Sequence, residues 1–182
     1  MTAYVALLRG INVGRNKQVA MADLRDVVAS IGHGDVGTHL RSGNVIFTSK
    51  RRDGKAIAAE LERRLADRLD LSSRVIVRSR TELEAVVRNN PLPDAAATPA
   101  KLHVVFLDHE PPATAVRDFD TERYAPDEVR FAGREIYAWY PNGFATSKLN
   151  DAAWKSLGVT ATARNWNTVT KLLALATDLE KQ

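Results

Sequence analysis

The stretch Val36-Gly37-Thr38-His39-Leu40-Arg41-Ser42-Gly43-Asn44-Val45-Ile46-Phe47-Thr48 decides the fold. Two strand-like runs flank Ser42-Gly43, a pair with turn chemistry, so residues 36–40 and 45–48 read as the arms of a β-hairpin. Upstream, Tyr4-Val5-Ala6-Leu7-Leu8 is a continuous apolar run, the pattern of a buried strand. Between that run and the hairpin, Met21, Leu24, Val27, Val28 and Ile31 recur at spacings of three and four. The spacing predicts a helix over 21–31, which Gly32 ends. Downstream, Asp53 is a natural N-cap, and Ile57, Leu61, Leu65 and Leu69 line one helix face. A fourth strand follows over 74–78, centred on Val75-Ile76-Val77.

The order strand, helix, strand, strand, helix, strand is the ferredoxin-like pattern, completed here in about 80 residues. A short helix from Thr81 closes this part before Pro91. The Pro- and Ala-rich residues 91–100 read as a linker between a first subdomain, 1–90, and a second, 101–182. The second part repeats the pattern incompletely. It offers a strand over 102–107, a short helix over 113–119, a hairpin of 128–131 and 135–140 around Gly133, and helices over 148–157 and 167–179. The fold class expected is α+β: two ferredoxin-like βαββαβ-type sandwiches with antiparallel sheets, the second lacking its last strand and ending in helices.

The chain has 182 residues, 45% hydrophobic and 26% charged, an ordinary mix for a globular protein. No apolar run approaches the roughly 20 residues that span a bilayer, so no membrane association is expected. No basic segment precedes the first apolar run, so no secretory signal is expected either. Cysteine is absent, which excludes disulfides, thiolate nucleophiles and Cys-based metal sites; a cytoplasmic location is the simplest reading. The four histidines, His33, His39, His103 and His109, show no metal-ligand spacing, and neither H-E-x-x-H nor G-x-S-x-G occurs. No metal and no cofactor are expected. Net charge is +4, distributed unevenly: residues 1–90 carry 16 Lys and Arg against 10 Asp and Glu, a net +6, and residues 91–182 carry 10 against 12, a net −2.

Topology assembles the chemistry. In a ferredoxin-like sheet the first two strands run parallel, so the loop after strand one and the hairpin turn emerge at one edge. That edge would gather Arg9, Gly10, Asn12, Gly14 and Lys17 with Arg41, Ser42 and Asn44. Glycines let backbone N–H groups turn outward as an anion nest requires, and arginines supply bidentate donors. The competing reading is structural: Asn12 and Asn44 hydrogen-bond their own loops and the glycines merely permit positive φ. Lys148, read at a helix opening where a cation opposes the dipole, and Arg164-Asn165, read as preceding the last helix, form a second candidate group. Asn167 or Asn165 would cap that helix and Trp166 would anchor it. Tyr137 and Trp139 share one hairpin face, and packing is the expected role for both.

Eight stretches, in their order, carry a family resemblance: Tyr4 to Gly14, Met21-Ala22-Asp23-Leu24-Arg25, Ser42-Gly43-Asn44-Val45-Ile46-Phe47, Asn90-Pro91-Leu92-Pro93, Leu102 to Leu107, Pro141-Asn142-Gly143, Ser147-Lys148-Leu149, and Ala163 to Val169. The chain resembles the bacterial domain-of-unknown-function family numbered 1697 over nearly its whole length, from Tyr4 to about Leu175. The resemblance implies two ferredoxin-like subdomains and no known activity, cofactor or catalytic residue. One departure is Arg15, which stands where the family usually has a second glycine after Gly14.

The expected function is binding of a phosphate-bearing ligand, nucleic acid or nucleotide, at the N-terminal loop edge, by a monomer or weak dimer. Two alternatives stand beside it. One is an enzyme on a small polyanionic metabolite in a cleft between the subdomains, using Lys148 and Arg164 electrostatically. The other is a partner-binding module, for which an exposed Tyr137 and Trp139 face would speak.

Overall fold

The computed structural model describes residues 1–14 and 18–182. Its elements in chain order are β1 (Thr2–Leu8), α1 (Met21–Ser30), β2 (Gly34–His39), β3 (Asn44–Ser49), α2 (Gly54–Leu69), β4 (Val75–Ser79) and α3 (Arg80–Arg88), then β5 (Leu102–Leu107), α4 (Ala113–Arg117), β6 (Glu128–Ala132), β7 (Glu135–Trp139), α5 (Asp151–Lys155), β8 (Ala161–Asn165) and α6 (Trp166–Glu180). They form two four-stranded antiparallel sheets, ordered β2-β3-β1-β4 and β6-β7-β5-β8. The fold is α+β, and each half follows the ferredoxin-like strand order. Among the described residues no helix is long and apolar enough to cross a membrane.

The chain divides into two units, residues 1–85 with 171–182, and residues 86–170. The final segment thus groups with the first unit. Residues 91–100 belong to the second unit and include a 3-10 turn over Pro93–Ala97.

The second unit does have its closing strand, which corrects the sequence expectation. β8 pairs antiparallel with β5, from Ala161 opposite Leu107 to Asn165 opposite His103. Its sequence, Ala161-Thr162-Ala163-Arg164-Asn165, lacks an apolar run and so carries no strand signal. Burial of Thr162 and Arg164 is tolerated because the Arg164 guanidinium donates to the Thr162 hydroxyl at 2.8 Å. A second correction concerns α5, which begins at Asp151 and not at Lys148. The Asn150 side-chain carbonyl accepts the Ala152 N–H at 3.0 Å and sets that start.

The core of the first unit follows the predicted faces. Tyr4, Ala6 and Leu8 of β1, with Val45, Phe47, Val75 and Val77, pack against Leu24, Val27 and Val28 of α1 and Ile57, Leu61 and Leu65 of α2. The alternate β1 residues Ala3, Val5 and Leu7 are buried too, as the unbroken apolar run demands. Asp53 caps α2, accepting the Lys55 and Ala56 N–H groups at 2.9 and 3.2 Å. In the second unit, Val105, Leu107, Ile136, Ala138 and Tyr140 pack with Trp154 and Leu157, and Phe119 stacks on Trp154 and Tyr124.

His33, in the α1–β2 connection, is buried against Phe47 with ring centroids 4.6 Å apart, and neither ring nitrogen has a hydrogen-bond partner. Burial, and then the Arg51 charge, lower its pKa, with Glu60 acting in the opposite sense. Depression of a base's folded pKa means the unfolded chain binds more protons. The associated stability is present above about pH 6.5 and is lost as pH falls toward the folded pKa. His33→Phe, which retains the ring contact, should therefore show a urea midpoint that falls less than the wild-type midpoint between about pH 7.5 and about pH 5. Equal falls would assign the acid sensitivity to other groups.

Candidate functional site

One end of the first sheet is held by four junctions, two between backbone groups and two made by side chains. The Leu8 N–H donates to the Gly43 carbonyl at 2.8 Å, and the Arg9 N–H to the Arg74 carbonyl at 2.9 Å. The Ser73 hydroxyl donates to the Arg9 carbonyl at 2.9 Å. The fourth junction is made by a side chain. Asn12, at φ 53°, donates through Nδ2 to the Arg41 carbonyl at 2.8 Å and to the Val19 carbonyl at 3.1 Å. Its Oδ1 accepts the Val19 N–H at 2.7 Å. Asn12 therefore clamps the β1–α1 loop both to its own far end and to the β2–β3 turn.

Asn44 is fully buried and donates to the His39 carbonyl at 2.9 Å and to the Ser42 hydroxyl at 3.1 Å. Both asparagines thus hold turns together, the structural alternative that their sequence position left open. Gly43, at φ 81°, is required twice over. A Cβ there would sit 2.8 Å from the Leu8 Cβ and 2.9 Å from the Ile11 Cγ1. Gly10 and Gly14 also have positive φ, but both are exposed with open space around them.

The predicted residues Arg9, Gly10, Asn12, Gly14, Arg41, Ser42 and Asn44 lie together on this edge; Lys17 lies outside the described residues. Arg41 and Ser42 are exposed and Arg9 is half-buried. Arg74 joins them and was missed by sequence reasoning. It immediately precedes β4, whose Val75 pairs with Leu8, so the antiparallel register sets it beside Arg9. The signal was available, because β4 must flank β1 in this topology and Arg74 opens its run. The Arg74 guanidinium pairs with Glu62 at 3.2 Å, and the other Glu62 oxygen accepts the Val75 N–H at 2.8 Å. Lys171 contributes positive potential near His39, whose pKa is lowered by burial first and by Lys171 second. Two apolar side chains of the same loop and turn are exposed, Val13 at 60% and Leu40 at 57%.

The other predicted residues belong to the second unit. Lys148 is exposed and lies before α5, so the helix-dipole argument made for it falls away. Arg164 is buried in β8 and donates to the Ala163 carbonyl at 2.7 Å as well as to Thr162. Burial lowers its pKa to about 10, so it stays charged at neutral pH. Asn165 caps α6, its side-chain oxygen accepting the Thr168 N–H at 3.0 Å, while Asn167 is exposed. Tyr137 is buried, its hydroxyl donating to the Val86 carbonyl at 2.7 Å, and burial pushes its pKa up to about 12. The exposed aromatic face that would have favoured a partner-binding module is therefore absent at Tyr137. Among the described residues no three His, Asp or Glu side chains converge as metal ligands.

The class defined by this fold is a two-unit α+β protein. Residues 1–137 match the family model described as "Protein of unknown function (DUF1697)", and the chain belongs to that family. The resemblance carried by Pro141-Asn142-Gly143, Ser147-Lys148-Leu149 and Ala163 to Val169 lies beyond the matched residues. In structure the chain is similar to the conserved bacterial protein SP0830 from Streptococcus pneumoniae, with a TM-score of 0.69 and 23% identity, covering 96% of this chain and 98% of that one. The sequence finds no match among curated proteins.

The clamp can be tested directly. Asn12→Ala removes three hydrogen bonds and puts alanine at positive φ, which should cost about 2–4 kcal/mol in chemical denaturation. Asn12→Gly relieves only the backbone strain and should recover about 1 kcal/mol of that loss. Equal stability of both variants and wild type would remove the clamp from the fold.

Proposed function

We propose that the protein binds a phosphate-bearing ligand, nucleic acid or nucleotide, at the first unit's sheet edge. The observation that carries this reading is the convergence of Arg9, Arg41 and Arg74 at that edge, through the Asn12 clamp and the β1–β4 register. The Arg9 and Arg41 side chains supply planar, bidentate donors suited to phosphate oxygens, and Arg74, paired with Glu62, stands beside Arg9. Exposed glycines at positive φ leave room for a close-approaching anion. Charge is partitioned in the same sense. The first unit carries 17 Lys and Arg against 12 Asp and Glu, a net +5, and the second 9 against 10, a net −1.

Fluorescence anisotropy of labelled single-stranded RNA and DNA, titrated from about 50 to about 200 mM salt, tests the proposal. Wild type should bind with an affinity that falls steeply with salt. Arg9→Ala with Arg41→Ala, in a protein whose circular dichroism is unchanged, should lower the magnitude of the log–log salt slope by about 1.4, two phosphates at about 0.7 each. Absence of binding to either strand and to a labelled nucleoside triphosphate at low salt would overturn it, as would a double variant that binds like wild type.

A further inference from the structure

The two units repeat one backbone frame with different chemistry on it. In the first, the end of β1 is fixed by Leu8 N–H to Gly43 O and Arg9 N–H to Arg74 O. In the second, the end of β5 is fixed by Leu107 N–H to Arg134 O at 2.9 Å and Asp108 N–H to Thr160 O at 3.0 Å. Asp108 thus stands where Arg9 stands, and Thr160 where Arg74 stands. The Asp108 carboxylate secures the junction by accepting the Thr160 N–H at 2.9 Å and pairing with His109 at 2.8 Å. A phosphate-binding edge is therefore not duplicated here.

This second edge opens instead into a cavity of about 360 Å³, lined by the β5–α4 loop, α4 and the β6–β7 turn. The volume suits a small ligand. Its charged lining consists of Glu110 and Arg117, and its apolar lining includes Pro111, Val116 and Phe131. Glu110 is exposed, and its carboxylate has no hydrogen bond or ion pair among the described residues. Arg117 uses its Nε to pair with Asp118 at 2.9 Å, and its two terminal guanidinium nitrogens have no hydrogen bond or ion pair among the described residues. Phe131 meets Phe119 edge-on, with centroids 5.4 Å apart.

We propose that this cavity binds a small zwitterion with an apolar body, its ammonium on Glu110, its carboxylate on Arg117, and its body against Val116 and Phe131. The site lies wholly in the second unit and does not depend on the phosphate reading of the first.

Isothermal titration calorimetry of the full chain with L-phenylalanine, phenethylamine and 3-phenylpropionate tests it, since the last two each keep one charge. L-Phenylalanine should saturate one site and exceed each single-charge probe by about tenfold or more in affinity. Glu110→Gln should weaken L-phenylalanine about tenfold and leave 3-phenylpropionate unchanged; Arg117→Met should weaken it similarly and leave phenethylamine unchanged. Both side chains are exposed, so both variants should keep the wild-type melting temperature without ligand. The proposal is overturned if neither L-phenylalanine nor L-leucine gives saturable heat through millimolar concentrations. It is equally overturned if either single-charge probe matches the zwitterion, or if the two variants bind L-phenylalanine like wild type.

Discussion

The constraint on which the first unit depends is the position of β1, paired along both edges and buried on both faces. It bonds antiparallel to β3 on one side and β4 on the other. Ala3 through Leu8 are all buried. Each fully buried valine or leucine contributes roughly 1.5–3 kcal/mol of transfer free energy, so β1 is the strand least able to slip. A one-residue shift would exchange its two sets of side chains between two closely packed faces. Everything at the loop edge inherits this rigidity. Arg9 follows directly from the last paired residue, and Arg74 directly precedes the residue that pairs with it.

Asn12 extends that order beyond the sheet. Its single amide is both donor and acceptor to the Val19 backbone at the far end of the β1–α1 loop and donor to the neighbouring turn. Three hydrogen bonds from one side chain compensate for a positive φ that few residues accept. The arginines of the edge therefore rise from ordered backbone, which lowers the entropy lost when they grip an anion.

Duplication of the frame and divergence of its chemistry are separable in this chain. The hydrogen bonds that end β1 and β5 recur because antiparallel pairing of the flanking strands requires them, whatever the side chains are. Helix capping recurs in the same way. Ser79 and Glu82 cap α3 reciprocally, the Glu82 carboxylate accepting the Ser79 N–H at 2.7 Å and the Ser79 hydroxyl the Glu82 N–H at 3.2 Å, while Asn165 caps α6. Side chains on the frame are unconstrained by it. Arginine at position 9 and aspartate at 108 therefore make edges of opposite character from one backbone plan.

Hydrophobic periodicity by itself determined the elements whose burial is one-sided or complete. The unbroken Tyr4–Leu8 run, the four-residue spacing of Ile57, Leu61 and Leu65, and the turn chemistry at Ser42-Gly43 each appear in the structure where their patterns put them. Strand order then followed from connectivity, and with it the meeting of the Arg9 loop and the Arg41 turn. Tertiary structure alone decided β8, because a strand of threonine, arginine and asparagine is stable only once its polar groups find partners across space. It also decided the roles of the asparagines. A side-chain amide offers the same donors and acceptors to a ligand as to a neighbouring carbonyl, and only the geometry of the Arg41, Val19 and His39 carbonyls assigned Asn12 and Asn44 to the frame. Arg74 stands between the two: connectivity already puts β4 beside β1, while the Leu8–Val75 register that sets Arg74 against Arg9 is encoded by no local pattern.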